Sequence, residues 1–269
     1  MKLDKVQLIY FSASGNTRRV ARQVARGTGL PVQEWNLTSQ RAKVDFQPDE
    51  QTLTILASPS FGGMAPKPFL EKLTQMQGKG PAILVATYGA KGIEDILAEM
   101  MEAASQQGYW VIGAAIFVAR YSLAPEIAPD RPNVEDLNQA EQFGVKMFEI
   151  ASKLRYGQQI RFVLPGSRPY HRYEGPGISP RTNHACVECG RCADACPVGA
   201  IPEEHPNKTD ATKCIGCMRC VYICPCKARS IKGLKAWRLR HILKRKCDAT
   251  RPNTFWVPYL EEGPSSGLG

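Results

Sequence analysis

Two copies of one cysteine spacing do most to limit what this chain can fold into. Cys186, Cys189, Cys192 and Cys196, followed by Pro197, spell C-x2-C-x2-C-x3-C-P; Cys214, Cys217, Cys220 and Cys224, followed by Pro225, spell it again 28 residues later. Two-residue gaps let three successive thiolates of one tight loop reach three irons of a cubane, while the fourth Cys, sent onward by its Pro, reaches the other cluster. Ligation is therefore expected to cross. Cys186, Cys189, Cys192 and Cys224 would hold one cluster, and Cys214, Cys217, Cys220 and Cys196 the other. Gly190 and Gly216 stand where the backbone must come close to sulfide. Paired C-x2-C units also bind tetrahedral zinc, but zinc would not require two identical runs that each end in Cys-Pro.

None of the ten cysteines precedes Cys186, and nine lie between positions 186 and 226. Such crowding points to metal where thiols are kept reduced. Cys226 and Cys247 fall outside the repeat and are expected as small buried side chains, with Cys226 placed to compete with Cys224 for an iron. The segment 185–229 resembles the two-cluster bacterial ferredoxins. That resemblance implies two [4Fe-4S] clusters and one-electron transfer.

The first 156 residues have a different texture. Short apolar runs at 6–11, 53–57, 82–87 and 110–119, with a weaker one at 32–37, read as strands. Helical patterns at 16–26, 67–77, 93–107 and 134–156 alternate with them. In the last of these Leu137, Ala140, Phe143, Met147, Ala151 and Leu154 recur every three or four residues. Five strands alternating with helices imply an α/β fold with a doubly wound parallel sheet covered on both faces.

The first strand runs into Ser12-Ala13-Ser14-Gly15-Asn16-Thr17, small polar residues that open the next helix. Such a loop can wrap a phosphate, because helix-terminal N–H groups point into it with the macrodipole behind them. It has neither the Gly-Lys-Ser/Thr of a nucleotide-hydrolysing loop nor the G-x-G-x-x-G of a dinucleotide site. With Ala21 and Val24 it resembles the flavodoxin phosphate loop, which implies a five-stranded flavodoxin-like sheet and FMN. The phosphate would sit on Ser12, Ser14, Gly15, Asn16 and Thr17. The loops after the third and fourth strands, with Pro59, Ser60, Phe61, Gly62 and Gly63, and Thr87, Tyr88, Gly89 and Ala90, would border the flavin ring, and Tyr88-Gly89 looks like the family's aromatic loop.

These readings divide the chain into a flavodoxin-like FMN domain (1–156), a linker (157–184), a small α+β two-cluster ferredoxin domain (185–230), and a basic extension with a Gly/Ser/Pro tail that reads as disordered (231–269). Of the formal net charge of +10, the first 156 residues hold 17 Lys/Arg against 16 Asp/Glu, and the rest 18 against 9. Two clusters and an FMN phosphate, at about −2 each, would lower the total to about +4. Ten Lys/Arg between 227 and 251 suit a solvated helix face packed on the ferredoxin module, or docking to an external, acidic redox protein. Nucleic-acid binding is the other use of such a run, though no nucleic-acid fold accompanies it. Arg161, Arg168, Arg172 and Arg181 could draw the linker to FMN phosphate or to cluster-side acids.

No run approaches the length of a membrane span, and Asp4 and Lys5 interrupt the start where a signal peptide would be apolar; a cytoplasmic protein without membrane attachment is expected. The domain order resembles flavodoxin-ferredoxin fusion proteins of anaerobic microbes. That resemblance implies electron transfer between FMN, the clusters and an outside partner. The alternatives are a flavin-dependent reductase of an organic substrate fed by the clusters, using an acid such as Tyr88 or Lys91, and a redox sensor.

Overall fold

A computed structural model describes residues 1–45, 48–155, 157–171 and 173–258. Arg172, Tyr156 and the Gly/Ser/Pro tail named above lie outside them. The first module runs β1 (Lys5–Tyr10), α1 (Asn16–Gly27), β2 (Val32–Asn36), β3 (Thr52–Pro59), α2 (Lys67–Leu73), β4 (Pro81–Tyr88), α3 (Ile96–Gln106), β5 (Trp110–Val118) and α4 (Val134–Lys153). All five strands are parallel, in the order β2-β1-β3-β4-β5. This is the flavodoxin-like order, in which the switch point lies between the first and third strands.

The pattern of burial explains why these segments become strands. β3 and β4 are buried along nearly their whole length, as continuous apolar strands must be when helices cover both faces. One face packs Ile9, Phe11, Leu56 and Leu84 against α2 and α3, and the other packs Leu8, Ile55, Ile83 and Phe117 against α1 and α4. The start of α4 is fixed by a capping box. The Asn133 side chain accepts from the Asp136 N–H at 3.0 Å, and the Asp136 carboxylate accepts from the Asn133 N–H at 2.7 Å; a cap of this kind contributes about 1 kcal/mol.

The second module is small: β6 (Arg181–Thr182), α5 (Arg191–Asp194), α6 (Arg219–Tyr222) and β7 (Arg229–Ser230), with β6 and β7 antiparallel. The cysteine repeat is also a repeat of backbone shape. Left-handed residues recur at an offset of 28: Glu188 (φ 51°) with Gly216 (67°), Gly190 (74°) with Met218 (61°), and Gly199 (61°) with Lys227 (49°). The turn geometry thus holds even where the side chain is not Gly, at a cost of about 1 kcal/mol per non-Gly position. Arg229, 2% exposed, ties the halves together by donating to Thr209 Oγ1 at 2.7 Å, to the Lys208 carbonyl at 3.0 Å and to the Pro206 carbonyl.

The segment after β7 departs from the sequence reading, because it returns to the first module. α7 (Leu234–Lys246) buries Ala236 and Leu243 in the same cluster as α2, α3 and the sheet. Arg240 Nε donates to the Leu123 carbonyl at 3.2 Å, and Lys244 stands 3.6 Å from Glu126. β8 (Thr254–Trp256) then adds a sixth, antiparallel strand beside β5. Asn253 accepts from the Val118 N–H at 2.9 Å, and Phe255 lies edge-on to Phe117 at 5.6 Å. The five parallel strands expected from the sequence therefore form a six-stranded mixed sheet, with the β5 edge closed as an exposed edge must be. Among the described residues, no helix is long and apolar enough to cross a membrane.

Candidate functional site

At the C-terminal ends of the parallel strands lies a cleft of about 760 Å³, its open mouth included. β1 ends beneath the loop 12–17, and Gly15, in the left-handed region at φ 92°, is the residue from which α1 starts. Gly15 has no side chain with which to cap α1, and the first N–H groups of a helix have no partner within it. Ser12 is turned inward: its N–H donates to Thr38 Oγ1 at 2.8 Å, and its hydroxyl accepts from the Arg18 N–H at 3.1 Å. The Thr17 hydroxyl, also buried, meets the Thr87 hydroxyl at 2.8 Å, joining the loop to the end of β4. A Cβ at Gly15 would meet nothing within 4 Å. The loop is thus an open cradle in which the N–H groups of residues 14–17 have no hydrogen-bond partner among the described residues, which fits a phosphate.

The structure brings most of the expected flavin residues to this cleft. Ser14, Asn16, Pro59, Ser60, Phe61, Gly62, Gly63, Thr87, Tyr88 and Gly89 line it, with Ser12, Gly15, Thr17 and Ala90 immediately beside or behind them in the chain. Tyr88 is the last residue of β4 and is 4% exposed; burial pushes its phenol up, with Arg251 opposing. It forms part of the cleft floor and is not a free ring in a turn. Two other tyrosines border the opening. Tyr121 lies on Gly89 and Tyr173 on Gly62, so closely that a Cβ at either glycine would run into a ring. Neither tyrosine was legible in the sequence, since each lies in a patternless segment far along the chain.

Tyr173 is carried by the linker, which is pinned across the first module. Ser167 donates to Asp95 at 2.9 Å, and Tyr170 and Arg168 both donate to Glu102, at 2.8 and 2.6 Å. His171 Nδ1 is 2.7 Å from Asp95, and Nε2 is in contact with the Gly62 carbonyl and 3.2 Å from Glu94. The carbonyl contact with Gly62 and the Asp95 carboxylate hold the His171 pKa above its ordinary value. Arg168 therefore docks the linker on an acid of α3 and not on the flavin loop.

The eight repeat cysteines fall into two sets around two cavities of similar size, about 330 and 340 Å³. Cys196, Cys214, Cys217 and Cys220 surround one; Cys186, Cys189, Cys192 and Cys224 surround the other. These are the crossed sets expected from the spacing. Among the described residues, no three His, Cys, Asp or Glu side chains converge on a point where one metal ion would sit. Burial pushes the Cys217 thiol up and the Cys220 thiol to about 11. Thiolates at these positions need the positive charge of iron beside them. Cys226, expected to be buried, is exposed and borders the second cavity. Cys247 is partly buried.

The first of these cavities adjoins the flavin cleft. Gly216, inside the second cysteine run, lines the cleft together with Tyr173. Tyr173 is itself within electrostatic reach of Cys214 and Cys217, and burial raises its pKa to about 12. Arg219 Nη1 donates to the Ala13 carbonyl of the phosphate loop at 3.3 Å, and the Gln40 N–H donates to the Cys196 carbonyl at 3.1 Å. Arg41 adds a 2.8 Å ion pair with Asp194 and a contact with Glu203.

Residues 180–225 match the family model of the 4Fe-4S dicluster domain. This segment is a dicluster ferredoxin domain. Curated relatives include pyruvate synthase subunit PorD of Methanocaldococcus jannaschii, 42% identical over 48 residues (17% of this chain, 56% of that protein), and YsaA of Escherichia coli, 39% identical over 66 residues (20% and 42%). The matches thus span between 12% and 56% of the length of these and other curated relatives. Among solved structures, a flavodoxin from the domain Archaea shares 18% identity at a TM-score of 0.40 over 55% of this chain and 99% of its own. Flavodoxin 2 of Bacillus cereus shares 19% at 0.38, over 54% and 99%. Both likenesses are slight; the flavodoxin-like character of the first module rests on its strand order. The chain joins a flavodoxin-like sheet to a dicluster ferredoxin domain.

Proposed function

We propose that the chain is a relay in which electrons pass between FMN in the cleft and the two [4Fe-4S] clusters, and then to or from an external redox protein. The observation that carries this reading is the adjacency of the Cys196/Cys214/Cys217/Cys220 cavity to the cleft: Gly216, which lines the cleft, lies between Ile215 and Cys217 of the cavity wall, and Tyr173, also on the cleft, is within electrostatic reach of Cys214 and Cys217. That set would hold the near cluster. Cys186, Cys189, Cys192 and Cys224 would hold the far one, where exposed Cys189 offers a short route to a partner. When bound, FMN supplies a two-electron carrier and each cluster a one-electron carrier, so one reduced flavin matches the capacity of two oxidised clusters, its two protons going to solvent.

The chain's own residues do the positioning. Ser14, Asn16 and the unpartnered N–H groups of α1 receive the phosphate, while Phe61, Tyr121 and Tyr173 border the space for the ring. The basic surface of α7 and the residues around it favours an acidic partner, whose association would be steered at low salt.

Anaerobically prepared protein should contain about eight iron, eight sulfide and one FMN per chain; zinc in place of iron would remove the cluster reading. Because the modules are in contact, reduction of the flavin by way of the clusters should proceed at a rate independent of protein concentration. Stopped-flow reduction across a tenfold dilution tests this. A rate proportional to concentration would mean that electrons pass between molecules. Saturable oxidation of the flavin by a small organic acceptor, with no partner protein present, would replace the relay by the reductase alternative.

A further inference from the structure

Arg219 lines the near cysteine cavity and lies within electrostatic reach of Cys217, but it is none of the expected ligands of either cofactor. It stands between Cys217 and Cys220, at the first position of α6, yet its side chain crosses to the other module. There Nη1 donates to the Ala13 carbonyl at 3.3 Å, inside the loop that opens α1. Its Nε is buried and has no hydrogen-bond partner among the described residues. A guanidinium offers five N–H donors, accepts nothing and keeps its proton in proteins, so a buried unpaired donor on it is costly and calls for an anion.

The other cations near the loop each have a partner of their own: Lys91, which lines the cleft, is 3.2 Å from Glu94, and Arg120, which also lines it, is held through Nε. Arg18 Nε lies 3.4 Å from Glu34, with its guanidinium over the Tyr10 ring. Arg19 donates to the Pro132 carbonyl at 3.2 Å, and Arg120 to the Pro125 carbonyl at 3.0 Å. The loop itself contains neither Lys nor Arg, so a phosphate resting on the α1 N–H groups would find no cation within the loop. Among the described residues, Arg219 is the guanidinium in hydrogen-bond contact with that loop, and planar charged donors of this kind are suited to phosphate oxygens.

We propose that Arg219 is a phosphate-binding residue lent by the cluster module to the flavin loop, so that FMN is held by both modules at once and its phosphate fastens the near-cluster loop to the sheet. The inference rests on the FMN reading of the cleft. The near cluster itself is the competing destination for the free Nε, and riboflavin, which has the same ring and no phosphate, separates the two.

Protein stripped of flavin but retaining its clusters is titrated anaerobically with FMN and with riboflavin, with iron and sulfide assayed for every variant. Arg219→Gln should weaken FMN binding on the order of tenfold while changing riboflavin binding by less than about twofold, with Arg219→Lys falling between. FMN and riboflavin weakened alike, or FMN unchanged, would overturn the assignment. If the Gln variant loses iron, the wild-type protein decides the matter. Binding and module docking are reciprocally linked, so FMN should slow iron release to a chelator several-fold more than riboflavin at equal saturation, and equal protection would overturn the proposal. A wild-type protein that binds neither flavin would instead remove the FMN reading itself.

Discussion

The two cysteine cavities have the same spacing, the same turn geometry and nearly the same size, yet they lie in different surroundings. Around the near cavity, Cys196 and Cys217 are buried, and Ile201, Ile215 and Met218 complete an apolar wall that merges with the core beneath the flavin cleft. Around the far cavity, Cys189 and Cys226 are exposed, Val187 is 68% exposed, and Glu188 and Arg191 stand at the rim. The contrast separates two determinants. Spacing fixes which thiolates share a cluster, whereas burial and neighbours fix what that cluster can exchange electrons with.

The largest effects should come from removing one ligand of each set. Cys196→Ala should abolish the near cluster and with it intramolecular exchange with the flavin, followed by flash photolysis. Cys186→Ala should abolish the far cluster and spare that exchange. Because ligation is crossed, the residual EPR signal of Cys196→Ala should match that of Cys220→Ala and differ from that of Cys192→Ala. A match with Cys192→Ala would mean that each run of four closes its own cluster.

A smaller effect separates the flavin from the clusters altogether. The Thr17 hydroxyl sits at the start of α1 and meets Thr87 at 2.8 Å, so Thr17→Val removes one donor from the cradle and one internal contact. FMN affinity should fall about fivefold, corresponding to about 1 kcal/mol for one hydrogen bond, while iron and sulfide content stay at the wild-type level. Unchanged FMN affinity would place the phosphate elsewhere. Loss of iron would show that the loop supports the near cluster through more than Arg219.

Much of this contrast was legible in the sequence, and the reasons differ from one region to another. The cysteine sets followed from a spacing that tolerates few other uses, the parallel sheet followed from apolar runs long enough to be buried on both faces, and its flavodoxin-like order was implied by the resemblance of the first loop. The phosphate loop followed from a local run, Ser12 to Thr17, that carries its chemistry within six positions. Tyr121, Tyr173 and Arg219 were illegible because their roles depend on contacts with residues far away in the chain: Tyr173 meets Gly62, and Arg219 meets Ala13. The same holds for β8. Three residues, Thr254 to Trp256, have no period to read, and they become a strand only because the β5 edge is there to receive them. The basic run of α7 suggested a solvated face packed on the ferredoxin module; its Lys and Arg are largely exposed, but its buried side, Ala236 and Leu243, joins the core of the first module, a choice of surface that only tertiary contacts decide.

The smallest effect concerns the linker that carries Tyr173 against the near cavity, and it should narrow the difference between the two clusters as pH rises. His171 presents one ring nitrogen to the Asp95 carboxylate at 2.7 Å and the other to the Gly62 carbonyl, with Glu94 at 3.2 Å. Both of the close partners are acceptors, and a neutral imidazole has only one N–H, so both contacts are satisfied only by the imidazolium. Hydrogen bonding to the Gly62 carbonyl and to Asp95 accordingly raises the folded pKa above the ordinary value of about 6.5. The sign follows from linkage. The contribution is complete below the unfolded-state pKa and is lost as pH rises through the raised folded pKa. Because the ring is 41% exposed, solvent screening keeps the effect modest. Limited proteolysis of the linker should therefore quicken as pH rises through that range in the wild-type protein, and near-cluster iron should become more accessible to chelators, approaching the far cluster. His171→Gln should show the faster rates already at pH 6 and little further change with pH. A wild-type linker whose protection does not vary with pH would mean that Tyr170, Arg168 and Ser167 hold the strap without help from the imidazolium, and the exposure difference between the clusters would then be fixed by packing alone.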